Sequence, residues 1–371
     1  MRLLIAPDKF KGCLTARQVA AAISAGLRIA DPALEFDVCP MADGGEGTVD
    51  ALVTGTGGQF FSARVTGPLP EMKIDARFGI LGDGKTAVVE LAAASGLALL
   101  KPEDRNPLAT TTFGTGELLM AAAARGVQTI VLVIGGSATI DAGIGIAQAC
   151  GLPVILQDGQ PLSPTEPLVG ADLDQVVLIK HGRGSPIEKI RILVACDVTS
   201  PLLGPQGAAA VFGPQKGATP EQIPLIDASL RELARRNGKL NLADLPGAGA
   251  AGGVGFGMAA FFGASLHSGA EIVIDTVKLR ERLKHAQICF TGEGRLDSQS
   301  LGGKTIAGVA RACSEAGVPC FAIAGSIDPD ADLRPLGLAG AFAIADASID
   351  PKTSLARAES LIAATARRIW P

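Results

Sequence analysis

The chain has 371 residues and a formal net charge of −4, is 47% hydrophobic, and carries 47 glycines, 23 prolines, one Trp and no Tyr. It is too apolar for a disordered chain, too irregular for collagen, and long enough for about two domains. With no basic block and few aromatic side chains, it argues against a nucleic-acid partner and against a membrane surface.

In chain order, MRLLIAP reads as a short strand, its apolar run too brief for a signal peptide, followed by a loop and the helix ARQVAAAISAGLRIA. EFDVCPMA reads as a second strand, then the glycine-rich DGGEGT and the helix TVDALVTG. This βαβα rhythm predicts a parallel sheet with helices on its faces. From about Phe60, FFSARVTG, EMKIDARFGIL and KTAVVELA predict a meander with turns at GPLP and GDGK. Then follow the helix TGELLMAAAARG, the buried strand QTIVLVIGG, the helix DAGIGIAQACG, the buried strand RILVACDV and a long loop, TSPLLGPQGAAAVFGPQKGATP. The helix EQIPLIDASLRELARRNG precedes Ala248 to Leu266, an uncharged stretch long enough to span a bilayer. Six of its residues are glycine, each costing about 1 kcal/mol in a helix relative to Ala, so we read it as a glycine-faced helix packed inside a soluble domain. The βα rhythm returns with VKLRERLKHA, QICFTG, KTIAGVARACSEAG, PCFAIAG, GAFAIAD and SLARAESLIAATARRI.

The expected fold is two α/β domains. Residues 1–60 and 280–371 form a discontinuous Rossmann- or flavodoxin-like parallel-sheet domain, and residues 61–279 are a mixed α/β domain inserted into it. Insertion at a surface loop is tolerated because loop closure costs little; two sequential domains are the alternative. The seven cysteines contain no CxxC pair and read as reduced, mostly buried thiols of a cytoplasmic protein. The three scattered histidines give no zinc site.

In an open parallel sheet, ligands bind beyond the carboxyl ends of the strands. The first strand delivers Asp8, Lys9 and Lys11, the second Asp43 and Glu46, and QICFTG delivers Glu293, Arg295 and Asp297. In the middle segment IVLVIGG delivers Gly135, Gly136, Ser137, Thr139 and Asp141, and RILVACDV delivers Asp197. Taken singly, each is explained as a turn former or a helix cap, Asp141 included. Five strands ending in acidic residues beside glycines ask for more. Glycines let backbone N–H groups approach an anion, and carboxylates with Mg²⁺ and lysines make a phosphoryl-transfer site.

The expected catalytic residues are Asp43, Asp197, Lys11 and Glu293, and the substrate ligands are Asp8, Lys11, Arg295 and Lys304. Gly135, Gly136, Ser137 and Lys216 are expected to hold the phosphates of the phosphoryl donor, and Asp197, Glu293 and Asp297 the Mg²⁺. Ser298 to Thr305, SQSLGGKT, is one residue short of a P-loop, because Ser298 stands where the first Gly belongs.

IAPDKFKGCLTA, PMADGGEGT, GTGELL, IGGSATIDAGIGIAQACG, ACDVTSPLLGPQGAAAVFGPQKGAT, GAGAAGGVGFGM and FTGEGRLDSQSLGGKT resemble, in the same order, the motifs of bacterial glycerate kinases of the type-1 family. The resemblance implies ATP- and Mg²⁺-dependent phosphorylation of D-glycerate in the cytoplasm, with 2-phosphoglycerate favoured over 3-phosphoglycerate. It also implies two α/β domains with the active site between them. Charge and composition give no nucleic-acid or membrane partner, and the sequence leaves open whether the chain is a monomer or a homodimer. Family members more often carry Ser at Lys9 and Asn at Thr199 or Ile140, so no role is assigned to those three. A nucleotide-dependent dehydrogenase would need G-x-G-x-x-G directly after a strand, which the first strand lacks. A two-lobed binding protein leaves the many charged strand ends unexplained.

Overall fold

A computed structural model describes residues 1–180, 185–301, 305–344 and 356–370, with the side chains of Gln299 and Leu301 left aside. The chain is an α/β protein that divides into two compact units. The first comprises Met1–Asp43, Asp50–Gly57 and Ser268–Pro371, and the second Gly44–Val49 and Gly58–His267.

In chain order, β1 (Arg2–Ile5), α1 (Ala16–Ala30), β2 (Glu35–Val38) and α2 (Thr48–Thr56) are followed by the meander β3 (Gln59–Thr66), β4 (Lys73–Ile80) and β5 (Thr86–Glu90). Next come α3 (Ala92–Ser95), α4 (Phe113–Ala123), β6 (Thr129–Val133), α5 (Ile144–Ala149), β7 (Val154–Leu156), β8 (Val176–Ile179), β9 (Arg191–Ala195), α6 (Ala208–Phe212), α7 (Gln222–Arg236), α8 (Ala250–Phe262) and β10 (Ser265–His267). The chain closes with α9 (Gly269–Thr276), α10 (Leu279–Leu283), β11 (Ile288–Leu296), α11 (Thr305–Ala316), β12 (Cys320–Ile327), β13 (Gly340–Ala343) and α12 (Ala358–Ile369).

Among the described residues of the first unit, the strands run β13-β12-β11-β1-β2, all parallel. Alternation along the strands splits the core. Leu3, Ile5 and Ile323 pack with Val19, Ile23 and Leu27 of α1 and Ile362 of α12, whereas Ala322 and Ala324 pack with Ile306 of α11. Thr15 caps α1 through a capping box with Gln18.

The second unit carries a mixed sheet in the order β10-β9-β6-β5-β4-β3. β5, β6, β9 and β10 are parallel, and the expected meander forms its antiparallel edge. The two-stranded β7–β8 ladder and β10 escaped the sequence reading, because three or four residues are too few to set a period.

Three local expectations need correction. The stretch read as one loop between β9 and α7 contains α6 and a 3₁₀ turn at Pro214–Lys216. The helix after Asp141 starts late, at Ile144, because Ala142 (φ 51°) and Gly143 (φ 72°) turn left-handed. The glycine-faced helix opens on a non-helical turn, Ala251, Gly252 and Gly253, with φ of 53°, 70° and 90°. Its regular part follows, and a Cβ on Gly257 would stand 2.0 Å from the carbonyl oxygen of Ala142. Among the described residues no helix is long and apolar enough to cross a membrane.

Candidate active site

In the first unit the parallel sheet gathers its charged residues at the carboxyl edge. The backbone N–H of Asp8 donates to the carbonyl of Gly292 (2.8 Å), fixing the end of β1 beside β11. Asp8 is 5% exposed. One of its carboxylate oxygens accepts from the N–H of Lys9 (2.6 Å), the other from the hydroxyl of Thr305 (2.6 Å) at the start of α11. Burial pushes its carboxyl up to about 6; Lys9 opposes the rise and the Asp43 carboxylate adds to it. Lys9 Nζ reaches Asp43 at 3.3 Å, so the two aspartates expected from sequence share one lysine. Lys11 is exposed, with its backbone nitrogen against Gly294.

β11 runs past the expected strand end, so Glu293 and Arg295 lie within it, opposite Ala324 and Ser326 of β12. The glycines permit this: a Cβ on Gly292 would meet the carbonyl oxygen of Ile323 at 2.2 Å. Glu293 is 9% exposed and accepts from the hydroxyl of Ser300 (2.5 Å), which also accepts from the N–H of Asp297 (3.2 Å). Arg295 is largely exposed and pairs with Asp297 (3.4 Å) and Asp328 (3.1 Å). Lys304 lies outside the described residues.

The second unit builds a separate polar cluster. Beyond β6, Gly135 and Gly136 are exposed, and Gly44 and Gly45 of the DGGEGT loop lie against Gly135. Lys216 is 2% exposed, and its ammonium donates to the Ser137 hydroxyl (2.6 Å) and the Thr139 carbonyl (2.8 Å). Burial draws this lysine down to about 7, against the pull of Asp141. Asp141 is fully buried and does more than cap a helix. It accepts from the N–H and hydroxyl of Thr112 (2.8 and 2.7 Å) and from the N–H groups of Gly143 (3.1 Å) and Gly145 (3.4 Å). Burial pushes its carboxyl up and those donors oppose the rise. Among the described residues, the buried hydroxyl of Thr139 and the Nε of Arg105 have no hydrogen-bond partner, an open capacity that buried polar groups seldom keep without a ligand or water. Asp197 is exposed just past the end of β9.

The first cluster thus holds Asp8, Lys11, Asp43, Glu293, Arg295 and Asp297, and the second Gly135, Gly136, Ser137 and Lys216, while Asp197 stands past the end of the neighbouring strand β9. Sequence reasoning missed Thr112, Ser300 and Arg105 and gave Thr305 no partner. Only Thr305 carried a signal, as the last residue of the near-P-loop.

The sequence profile of the glycerate kinase family matches residues 3–371. The chain is 46% identical to a glycerate kinase of Haemophilus influenzae over 90% of its length and 88% of that protein. It is 44% identical to the glycerate 2-kinase of Escherichia coli over 89% and 86%. A crystal structure from Salmonella typhimurium LT2 superposes with a TM-score of 0.89 at 42% identity, covering all of this chain and 97% of that one. A match of this extent, on a fold that agrees throughout, identifies the chain as a member of the glycerate kinase family.

Proposed function

We propose that the chain transfers the γ-phosphoryl group of ATP to D-glycerate, with 2-phosphoglycerate as the product. Family membership over the whole length carries this reading, and the relative named glycerate 2-kinase favours the 2-hydroxyl. The buried Lys216 beside the orphaned Thr139 hydroxyl and two exposed glycines suits an anionic polyphosphate. Hence Gly135, Gly136, Ser137 and Lys216 orient the phosphates of ATP.

Lys11, Arg295 and Lys304 offer cations to the carboxylate of glycerate, and Asp8 orients its hydroxyls. A carboxylate accepts the proton of the attacking hydroxyl as its oxygen bonds to phosphorus and ADP departs. Asp8 and Asp43, joined through Lys9, are the pair positioned for that proton, and the raised Asp8 carboxyl suits a base near neutral pH. Glu293 and Asp297, which meet at Ser300 in the first unit, are hard oxygen donors that would hold Mg²⁺, which takes one or two carboxylates beside phosphate oxygens; Asp197, at the end of β9, offers a donor of the same kind. When bound, Mg²⁺ supplies charge neutralisation on the transferred group.

The test is ADP release by the purified chain. Release that requires both D-glycerate and Mg²⁺, with 2-phosphoglycerate identified by NMR, is expected. ADP release indifferent to glycerate would overturn the reading.

A further inference from the structure

Three thiols meet in the first unit, none of them given a role above. Cys289 lies on β11, Cys320 is its register partner on β12, and Cys313 lies on α11. All three are buried, at 0%, 2% and 0% exposed. Their sulfur atoms lie within 4.8 Å of one another, and among the described residues no His, Asp or Glu ligand atom joins the group. An ion held by three sulfurs at about 2.3 Å needs them roughly 4 Å apart, so small side-chain rotations complete such a site. All-sulfur ligation selects soft, thiophilic elements.

Charge decides among them. All three side chains are buried, and among the described residues no His, Asp or Glu ligand atom joins the sulfurs, so the pocket favours a neutral occupant. Three thiolates leave a net charge of −2 around Cu(I) and −1 around Zn²⁺, but none around a trivalent element, and burying uncompensated charge is unfavourable.

We propose that Cys289, Cys313 and Cys320 form a three-sulfur site for a trivalent thiophilic element, captured from solution as arsenite. Three As–S bonds replace three As–O bonds, and the three thiol protons leave with the hydroxyl groups as water. No oxidant or reductant takes part. The product ties α11 to β11 and β12, so it opposes unfolding of the first unit.

The experiment uses the full chain, reduced and oxygen-free. One portion is incubated with arsenite as the native protein, and another is refolded from urea in its presence, since the trio is buried. Native mass spectrometry should find one arsenic per chain, X-ray absorption should find three sulfur neighbours and no oxygen, and the melting temperature should rise. Cys313→Ala and Cys313→Ser should each weaken retention at least tenfold and abolish the rise in melting temperature. Cys150→Ala, which removes a lone buried thiol of the second unit, should change neither. No arsenic by either route, retention by the Cys313 variants equal to that of the parent chain, an As–O neighbour, or preference for Zn²⁺ or Cu(I) over arsenite would each overturn the proposal.

Discussion

At the scale of single residues, Asp8 and Lys216 carry charge where burial opposes it, and each makes a pH-dependent expectation. The folded carboxyl of Asp8, at about 6, lies above its ordinary 3.8, so the native chain holds the proton longer. Its contribution to stability is full below about 3.8 and lost as pH rises through about 6. Asp8→Asn should therefore be the more stable protein at pH 8, by on the order of 1–2 kcal/mol, with the gap narrowing at pH 5. Its turnover should fall at least about 100-fold. Parallel melting curves at both pH values with near-normal turnover would remove Asp8 from the site. Lys216 shifts the other way, to about 7 from 10.5. Its ammonium is present below about 7 and fades above it, so the KM for ATP should climb as pH rises from 7 to 9. Lys216→Met should lose that dependence and about 10- to 150-fold in kcat/KM, the worth of one charge-assisted contact. Flat KM values across that range in the parent would contradict the assignment.

Among the elements, α8 shows how glycine serves packing. Gly257 sits where a Cβ would press on the Ala142 carbonyl, next to the buried Asp141. Two effects compete in Gly257→Ala. Helix propensity favours Ala by about 1 kcal/mol, whereas overpacking costs about 1–3 kcal/mol or more. The contact of 2.0 Å involves backbone, which cannot swing aside as a flexible side chain would, so overpacking wins and urea melts should show net destabilisation. A stabilised variant would mean that α8 and the Asp141 turn are not in close contact. β11 obeys the same rule: its extension to Leu296, which carries Glu293 and Arg295, depends on the glycines that admit β12.

For the molecule as a whole, the cysteines report on the two units separately. Cys13 and Cys196 are half-buried and the other five are buried. Two thiols should react readily with a disulfide reagent in the native state. Of the five protected ones, Cys39, Cys289, Cys313 and Cys320 belong to the first unit and Cys150 to the second. Each unit has its own apolar core. Pulse labelling across a urea gradient should therefore expose Cys150 at a different midpoint from the other four. Coincident labelling of all five would show that the cores melt as one.

By itself, the sequence determined the alternation of strands and helices, the antiparallel meander and the glycine-flanked charged residues at strand ends. These follow from period, turn chemistry and strand termination, all of which act within a dozen residues. The order of neighbouring motifs was also enough to reveal the family. What the tertiary structure alone decided was which distant groups share a site. Thr305 meets Asp8 across 297 positions, Thr112 meets Asp141 across 29, and Lys216 meets Ser137 across 79. Each pairing depends on sheet order and register, which local propensity does not encode. Lys216 illustrates the gap best. On the page it is a cation in a loop, and only its place under the β6 turn makes it a buried lysine that titrates near neutrality. The three thiols, at positions 289, 313 and 320, form a cluster only because β11 and β12 are neighbours with α11 packed on the same face.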